Sequence, residues 1–285
     1  MFLIFLMSYI SMYKEKKQYM AIHYVKFRAN SLSSNGEFYM FLPEKQIPPF
    51  MIGNPNYNRP PKTLILLHGF SGDCTDWLYG APVQDYALKY NLAIIMPTGG
   101  LNFYLDRPQT GRQYCKFIGE DLINYLRETY GIAKSRQDTF IGGVSMGGFG
   151  AFHIALTYPD KFFGLMGLSS AFIIHQLKDM YEGMDNPMSN YAYYVDTFGD
   201  LKLAEQSDIN PEVLYLNNKK QGIELPKIFM ACGTEDFLYK DNLVMKEFLE
   251  KENADFKYVE GPGMHDWKFW IPRSEEGIEY LVKGE

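Results

Sequence analysis

The stretch that decides the fold is Thr139-Phe140-Ile141-Gly142-Gly143-Val144-Ser145-Met146-Gly147-Gly148-Phe149-Gly150. It begins with an apolar run of strand length, passes through the motif G-x-S-x-G centred on Ser145, and continues into a helix-like run over residues 149–156. A strand, a strained turn and a helix form the setting in which a serine is exposed as a nucleophile. Side chains at Gly143 or Gly147 would crowd that turn. The alternative is a glycine-rich turn with an ordinary structural serine, because the bare motif also arises by chance.

The rest of the chain alternates strand-like and helix-like segments. Two short alternating runs, residues 24–29 and 37–42, predict an antiparallel pair of strands. Continuously apolar runs then predict strands covered on both faces, at residues 63–67, 92–96, 138–144, 163–168, 227–231 and 256–259. The clearest helix spans residues 114–130 and is predicted to end at Gly131. Strands that alternate with helices predict an α/β fold with a mostly parallel central sheet and helices on both faces.

Residues 171–225 interrupt this alternation. The segment is too long for an ordinary connection between two strands, and it is rich in Met, Tyr and Asn. We therefore predict a lid inserted into a single domain of residues 20–285. Residues 1–19 are predicted to be an N-terminal extension, because Met20 opens a fresh strand-like sequence.

Composition narrows the class of protein. The 285 residues are 46% hydrophobic and 22% charged, which is typical of a globular protein with a sizeable core. The formal net charge of −6 argues against a nucleic-acid partner. Three scattered cysteines predict reduced thiols and a cytoplasmic protein, although the apolar run of residues 1–7 leaves secretion open. That run is too short to span a bilayer, so no stable membrane association is expected. The sequence does not determine the oligomeric state, so a homo-oligomer stays an open alternative to a monomer.

A serine nucleophile needs a base to accept its proton and an acid to orient that base. The candidate base is His265, because it lies in a Gly-rich loop just past the last predicted strand, where it can reach the sheet edge. His153 lies on the helix after Ser145 and is predicted to be packed. The two remaining candidates, His23 and His175, have no motif around them.

The candidate acid is Asp236. It follows the strand at residues 227–231 and falls between Ser145 and His265, which is the order of nucleophile, acid and base in α/β hydrolases. Its rivals are the neighbouring Glu235 and, more weakly, Asp208 and Asp241. A helix-capping role for Asp236 is the structural alternative.

The negative charge that develops on a substrate carbonyl oxygen needs backbone N–H donors. The N–H of Met146 follows the serine directly, and the N–H of Phe70 lies in the glycine-rich loop after the strand at residues 63–67. His68 in that loop is predicted to hold the turn by hydrogen bonds. No metal-binding motif is present, so neither a metal nor another cofactor is expected.

Together these segments resemble the esterase D-like esterases of the α/β-hydrolase superfamily, in particular the branch of tributyrin, feruloyl and acetyl-xylan esterases. The resemblance is carried by residues 67–70, 97–106, 143–151, 233–236 and 265–270. It implies a triad of Ser145, Asp236 and His265, an oxyanion hole at Phe70 and Met146, and no cofactor. The S-formylglutathione hydrolases are close relatives, but residues 68–70 and Phe149 depart from their pattern, which argues against such a thioesterase.

Aromatic residues near the predicted site are candidates for binding substrate, although core packing is the equal alternative: Trp77, Tyr104, Trp267 and Trp270. The predicted lid offers an adaptable apolar surface made of Met180, Met184, Met188, Tyr191, Tyr193 and Tyr194.

The sequence thus predicts an enzyme whose substrates are small molecules, namely short-chain carboxylic esters. It is predicted to hydrolyse them through an acyl-enzyme intermediate. Alternatives are an esterase for feruloyl or acetyl groups on plant-wall oligosaccharides, an acyltransferase on the same fold, and a non-catalytic binding protein.

Overall fold

The computed structural model describes residues 21–43, 47–184 and 188–283. The predicted extension, residues 1–19, lies outside these ranges, and the assignment of residues 20–285 to one domain stays a prediction. Within the described part, eight strands form one sheet in the order β1-β2-β4-β3-β7-β8-β9-β10. Their bounds are β1 Ile22–Ala29, β2 Ser34–Phe41, β3 Lys62–Leu67, β4 Leu92–Pro97, β7 Thr139–Val144, β8 Gly164–Leu168, β9 Lys227–Gly233 and β10 Phe256–Gly261.

The sheet is mostly parallel, as predicted. Strand β1 pairs antiparallel with β2, and β2 pairs antiparallel with β4, while every other pairing in the sheet is parallel. All eight predicted strands are confirmed, with ends that differ by at most three residues. A separate two-stranded hairpin, β5 Asp106–Arg107 with β6 Arg112–Gln113, was not predicted.

The strands are covered on both faces because their side chains alternate between two hydrophobic cores. On β3, Ile65 and Leu67 join one core, whereas Leu64 and Leu66 join the other. All four side chains are buried. This is the physical reason that the strands read as continuously apolar in the sequence.

The helices divide between the same two cores. One face carries α1 Asp76–Gly80, α2 Val83–Tyr90 and the C-terminal α8 Trp267–Lys283, whose buried residues share one core. The other carries α3 (residues 114–130), α4 Met146–Thr157, α6 Pro211–Lys220 and α7 Tyr239–Lys251. The predicted helix at residues 114–130 is confirmed, although two of its turns are of the wider π type, Phe117–Leu122 and Leu126–Tyr130. It ends at Gly131 with φ +66°, as predicted.

The predicted lid segment is more regular than expected. Its described residues contain the 3₁₀ helices Ile173–Asp179 and Ala204–Gln206 and the α-helices α5 Tyr191–Phe198 and α6. Helix α5 is tied to the β5–β6 hairpin, because Arg112 forms an ion pair of 2.5 Å with Asp196 and Arg107 Nε donates to the Asp196 carbonyl. Movement of this segment as a lid stays a prediction.

Candidate active site

Ser145 sits in the turn between β7 and α4 with φ +56° and ψ −121°. This conformation is strained for a residue with a side chain, and it matches the elbow expected from the sequence. Two bonds clamp the turn: the Ser145 N–H donates to the Leu168 carbonyl at 2.8 Å, and the Ser145 carbonyl accepts from the Ala171 N–H at 3.0 Å. Strand β8 and the residues just after it therefore bind both the N–H and the carbonyl of Ser145.

The predicted need for glycine on both sides of Ser145 is confirmed. A Cβ at Gly143 would lie 2.4 Å from the backbone of Gly147. A Cβ at Gly147 would lie 2.4 Å from the Leu67 carbonyl oxygen and 2.5 Å from that of His68. These neighbours are main-chain atoms at the start of α4, at the end of β3 and directly after it, so they have little freedom to move away.

We expect Gly147→Ala to destabilise the protein by about 3 kcal/mol or more, since overpacking against a rigid backbone is costly. For a chain of this length, that corresponds to a fall in Tm of roughly 6–12 °C. Differential scanning calorimetry would measure it. The matched control is Gly261→Ala, where the nearest atom to an added Cβ is 3.8 Å away. Equal losses in the two variants would contradict the assigned clash.

His265 and Asp236 are brought together at the carboxyl end of the sheet. The Nδ1 of His265 lies 2.9 Å from Asp236 Oδ2 and 3.1 Å from Oδ1. The Asp236 side chain is fully buried, and that of His265 is 19% exposed. A buried carboxylate bound to Nδ1 keeps the proton on that nitrogen and leaves Nε2 free to act as a base.

The pKa of Asp236 is lowered from its ordinary value. Burial by itself would raise this pKa, but hydrogen bonds from His265 and from the Leu238 N–H outweigh the desolvation. A hydrogen bond from Ser169 acts in the same direction. Asp236 therefore stays ionised near neutral pH, as an orienting acid must.

The rival acids lie elsewhere. The Glu235 carboxylate accepts from the Gly263 N–H and thereby ties the two loops of the site together. Asp241 Oδ1 accepts from Gln176 Nε2 at 2.7 Å, and Asp208 acts electrostatically on His153. Among the described residues, Asp236 is the carboxylate that binds the His265 ring.

Sequence reasoning placed Trp270 near the site but missed its contacts with this pair and with Ser169. The Trp270 ring packs edge-on against His265 at 4.9 Å, and its Nε1–H donates to Ser169 Oγ at 2.9 Å. Ser169 directly follows β8 and has φ +46°. A positive φ cannot be read from a serine in the sequence, so no local signal pointed to this contact.

The predicted oxyanion donors both border the same cavity as Ser145. In the part of the chain that the structure describes, neither Phe70 nor Met146 donates its N–H to another main-chain group outside regular elements. Met146 is the first residue of α4, so its N–H also has no partner within the helix. These amides are free to bind a negatively charged oxygen.

The other histidines have structural contacts. His68 is fully buried; its Nδ1–H donates to the Gly69 carbonyl at 2.7 Å and its Nε2 accepts from the Gly99 N–H at 2.8 Å. This confirms its predicted role in holding the loop. Burial lowers the pKa of His153 to about 4, in agreement with its predicted packing. His175 bridges Glu205 and Glu212 within the lid segment.

The cavity at Ser145 has a volume of about 440 Å³. Its wall includes four of the six predicted lid residues, namely Met180, Met188, Tyr193 and Tyr194. It also includes Asp241, a rival candidate for the acid, and six residues that the sequence analysis did not single out: Phe103, Ala171, Ile173, Gln176, Phe237 and Leu238. The size of this cavity and its mostly apolar wall are typical of a site that binds a small molecule.

The prediction that aromatic residues bind the substrate is wrong for Trp77 and Tyr104. Trp77 is 1% exposed and donates its Nε1–H to the Leu67 carbonyl at 2.9 Å, so it belongs to the core. Tyr104 is fully buried, and its hydroxyl donates to the His68 carbonyl. Trp267 packs edge-on against Trp77 and is absent from the cavity wall. These rings support the loops from beneath.

Within the described ranges, Cys74, Cys115 and Cys232 are buried free thiols, as predicted. No group of His, Cys, Asp or Glu side chains in the same ranges is placed to hold a metal ion. No helix of the described part is long and apolar enough to cross a membrane.

A model of the family described as "Putative esterase" matches residues 30–274. That match spans most of the chain. The chain belongs to this esterase family. An acetyl esterase of Caldicellulosiruptor saccharolyticus is 38% identical over 267 residues, which are 93% of this chain and 99% of the relative. The resemblance inferred from the motifs is therefore confirmed, and this esterase is a carboxylic ester hydrolase.

Solved structures agree with the fold. An S-formylglutathione hydrolase of Staphylococcus aureus is 29% identical, with a TM-score of 0.78 over 93% of this chain and 100% of its own. The fluorophosphonate-binding serine hydrolase F of Staphylococcus aureus is also 29% identical, with a TM-score of 0.79 over 93% of this chain and 99% of its own. The esterase thus has the α/β-hydrolase fold and acts as a serine hydrolase.

Proposed function

We propose that the esterase hydrolyses short-chain carboxylic esters with Ser145 as nucleophile, His265 as base and Asp236 as orienting acid. The observation that carries the proposal is the pairing of a strained, cavity-lining Ser145 with a histidine whose Nδ1 is bound to a buried carboxylate. Ser145 lines the cavity, and Phe237 of the same wall contacts the His265 ring. Backbone strain and the burial of a charged pair each cost folding free energy, so their occurrence this close together points to catalysis.

The reaction has two halves. His265 Nε2 takes the Ser145 hydroxyl proton as Oγ attacks the ester carbonyl carbon, and the resulting oxyanion accepts hydrogen bonds from the Phe70 and Met146 amides. The bond to the alcohol oxygen then breaks, and His265 returns the proton to the leaving alcohol. Water repeats the attack on the acyl-enzyme and releases the carboxylic acid and Ser145.

The free structure fits this cycle. In the described part of the chain, the hydrogen bonds of the His265 ring go to Asp236 and none joins it to Ser145 Oγ. Catalytic hydrogen bonds of free enzymes are often long until substrate binds. Asp236, by contrast, is already bound to the imidazole. The acid–base pair is therefore preorganised, and substrate completes the contact to the nucleophile.

The named relatives suggest particular esters. The acetyl esterase of Caldicellulosiruptor supports acetyl groups as the acyl part. The name of the Staphylococcus hydrolase adds S-formylglutathione as a second candidate substrate, against which the departures at residues 68–70 and Phe149 argued. Feruloyl esters are an alternative substrate of the same site, and acyl transfer is an alternative reaction. Transfer takes place when an alcohol rather than water accepts the acyl group from the acyl-enzyme.

The test is covalent labelling with a fluorophosphonate probe, followed by mass-spectrometric mapping of the adduct. A fluorophosphonate phosphonylates an activated serine and displaces fluoride, so we expect one adduct on Ser145. A parallel panel of p-nitrophenyl acetate, methyl ferulate and the thioester S-formylglutathione shows which of the three substrate classes the enzyme hydrolyses. An adduct on another residue, or no hydrolysis of any ester in the panel, would refute the proposal.

A further inference from the structure

The wall of the cavity at Ser145 has a buried part, called the enclosed end here, and an exposed part, called the open end. Phe103, Ala171, Tyr194 and Leu238 in its wall are each no more than 6% exposed. Phe237, in the same wall, is 65% exposed. Single exposed apolar side chains are common on protein surfaces. What distinguishes Phe237 is that it is exposed in the wall of the cavity that contains Ser145 and directly follows Asp236.

Phe237 is held in place by its neighbours. The Leu238 N–H donates to Asp236 Oδ1 at 2.9 Å, and the Tyr239 N–H donates to the Asp236 carbonyl at 3.0 Å. The Phe237 ring therefore projects from a hydrogen-bonded turn. Its centroid lies 4.5 Å from that of the His265 ring, with an angle of 45° between the planes.

The chemistry of the acyl-enzyme cycle indicates which part of the substrate lies at each end of the cavity. In the tetrahedral intermediate, the oxyanion points to the amides of Phe70 and Met146, whereas the alcohol oxygen must lie next to His265 to receive its proton. The alcohol part of the ester then emerges beside Phe237. The acyl part is left for the enclosed end, where its size is limited.

We propose that Phe237 forms a stacking platform for the alcohol part of the substrate and selects esters whose alcohol carries a ring with a broad face, either a pyranose in its chair form or an aryl group. The inference rests on the proposed triad. A ring can lie on the exposed face of Phe237, whereas a small alkyl alcohol cannot cover it. Because Phe237 is 65% exposed, an alcohol larger than one ring, such as an oligosaccharide, can continue past it into solvent.

The test keeps the acyl group constant and varies the alcohol. The substrates are isobutyl acetate, benzyl acetate and methyl 6-O-acetyl-β-D-glucopyranoside, all esters of primary alcohols. For each ring ester, the selectivity is its kcat/KM divided by that of isobutyl acetate. We expect Phe237→Ala to lower this ratio about fivefold, from the usual strength of stacking contacts. Phe237→Trp should retain it, whereas Phe237→Leu, which is apolar but not flat, should not.

Phe50→Ala is the matched control, because Phe50 is 70% exposed and absent from the cavity wall. Its selectivity ratios should equal those of the wild type. A fall with the glucoside alone identifies a sugar platform, and a fall with the benzyl ester alone identifies an aryl platform; both support the proposal. Unchanged ratios would overturn it. So would equal losses on all three esters with a shifted pH profile, because Phe237 would then act through His265.

Failure of this inference is distinguishable from failure of the proposed function. The fluorophosphonate adduct on Ser145 and the hydrolysis of isobutyl acetate report the triad without a ring alcohol. An enzyme that passes both tests and shows no selectivity change in Phe237→Ala keeps the triad and loses the platform.

Discussion

Ser145→Ala should lower kcat for p-nitrophenyl acetate by about 10⁵-fold or more, since removal of a serine nucleophile eliminates the acyl-enzyme route. The hydroxyl is the atom that forms the ester bond to the acyl group, and an alanine methyl cannot replace it. KM should change much less, because the cavity wall and the oxyanion donors remain. Stopped-flow kinetics should also show that the initial burst of p-nitrophenol disappears.

The control for this variant is Ser34→Ala, on strand β2, which β4 and β3 separate from β7. It should hydrolyse the ester at the wild-type rate. A Ser145→Ala protein that folds normally and keeps more than about one hundredth of the wild-type kcat would exclude Ser145 as the nucleophile.

Asp236→Asn should lower kcat/KM by about 10⁴-fold, because an amide favours the wrong tautomer of the histidine. The carboxylate accepts the Nδ1–H of His265 through both oxygens at 2.9 and 3.1 Å. An asparagine can offer its N–H to Nδ1 instead, which places the imidazole proton on Nε2 and blocks the base. Steady-state kinetics on p-nitrophenyl acetate measure the loss.

The neighbouring Glu235→Gln provides the comparison, because it changes an equivalent charge one residue away. The Glu235 carboxylate binds the Gly263 N–H and is not bound to the His265 ring. We expect a loss smaller than tenfold, since a neutral oxygen of glutamine can still accept that hydrogen bond. If Glu235→Gln were the more damaging of the two, Glu235 would be the orienting acid.

The placement of the rings shows where sequence reasoning was insufficient. Trp77, Tyr104 and Trp267 follow or adjoin the catalytic motifs in sequence, so each was a candidate for contact with substrate. The structure places Trp77 and Tyr104 beneath the loops, with their polar atoms bound to main-chain carbonyls. Phe237 is the exposed ring, although its position next to Asp236 was visible in the sequence. Which face of a loop points to solvent depends on packing that no local pattern records.

The sequence by itself determined the strands, the elbow at Ser145, and the order of Ser145, Asp236 and His265. A continuously apolar run indicates a strand that is buried on both faces, and a glycine in the turn indicates a position where a side chain cannot fit. Both signals are local, so they can be read from the sequence. Tertiary structure alone decided the rest: the cavity that residues 171–225 help to close, the contact of Trp270 with Ser169, and the exposure of Phe237 beside His265. These features join residues that are far apart in the chain or depend on which way a side chain turns, and both are set by the packing of the whole fold.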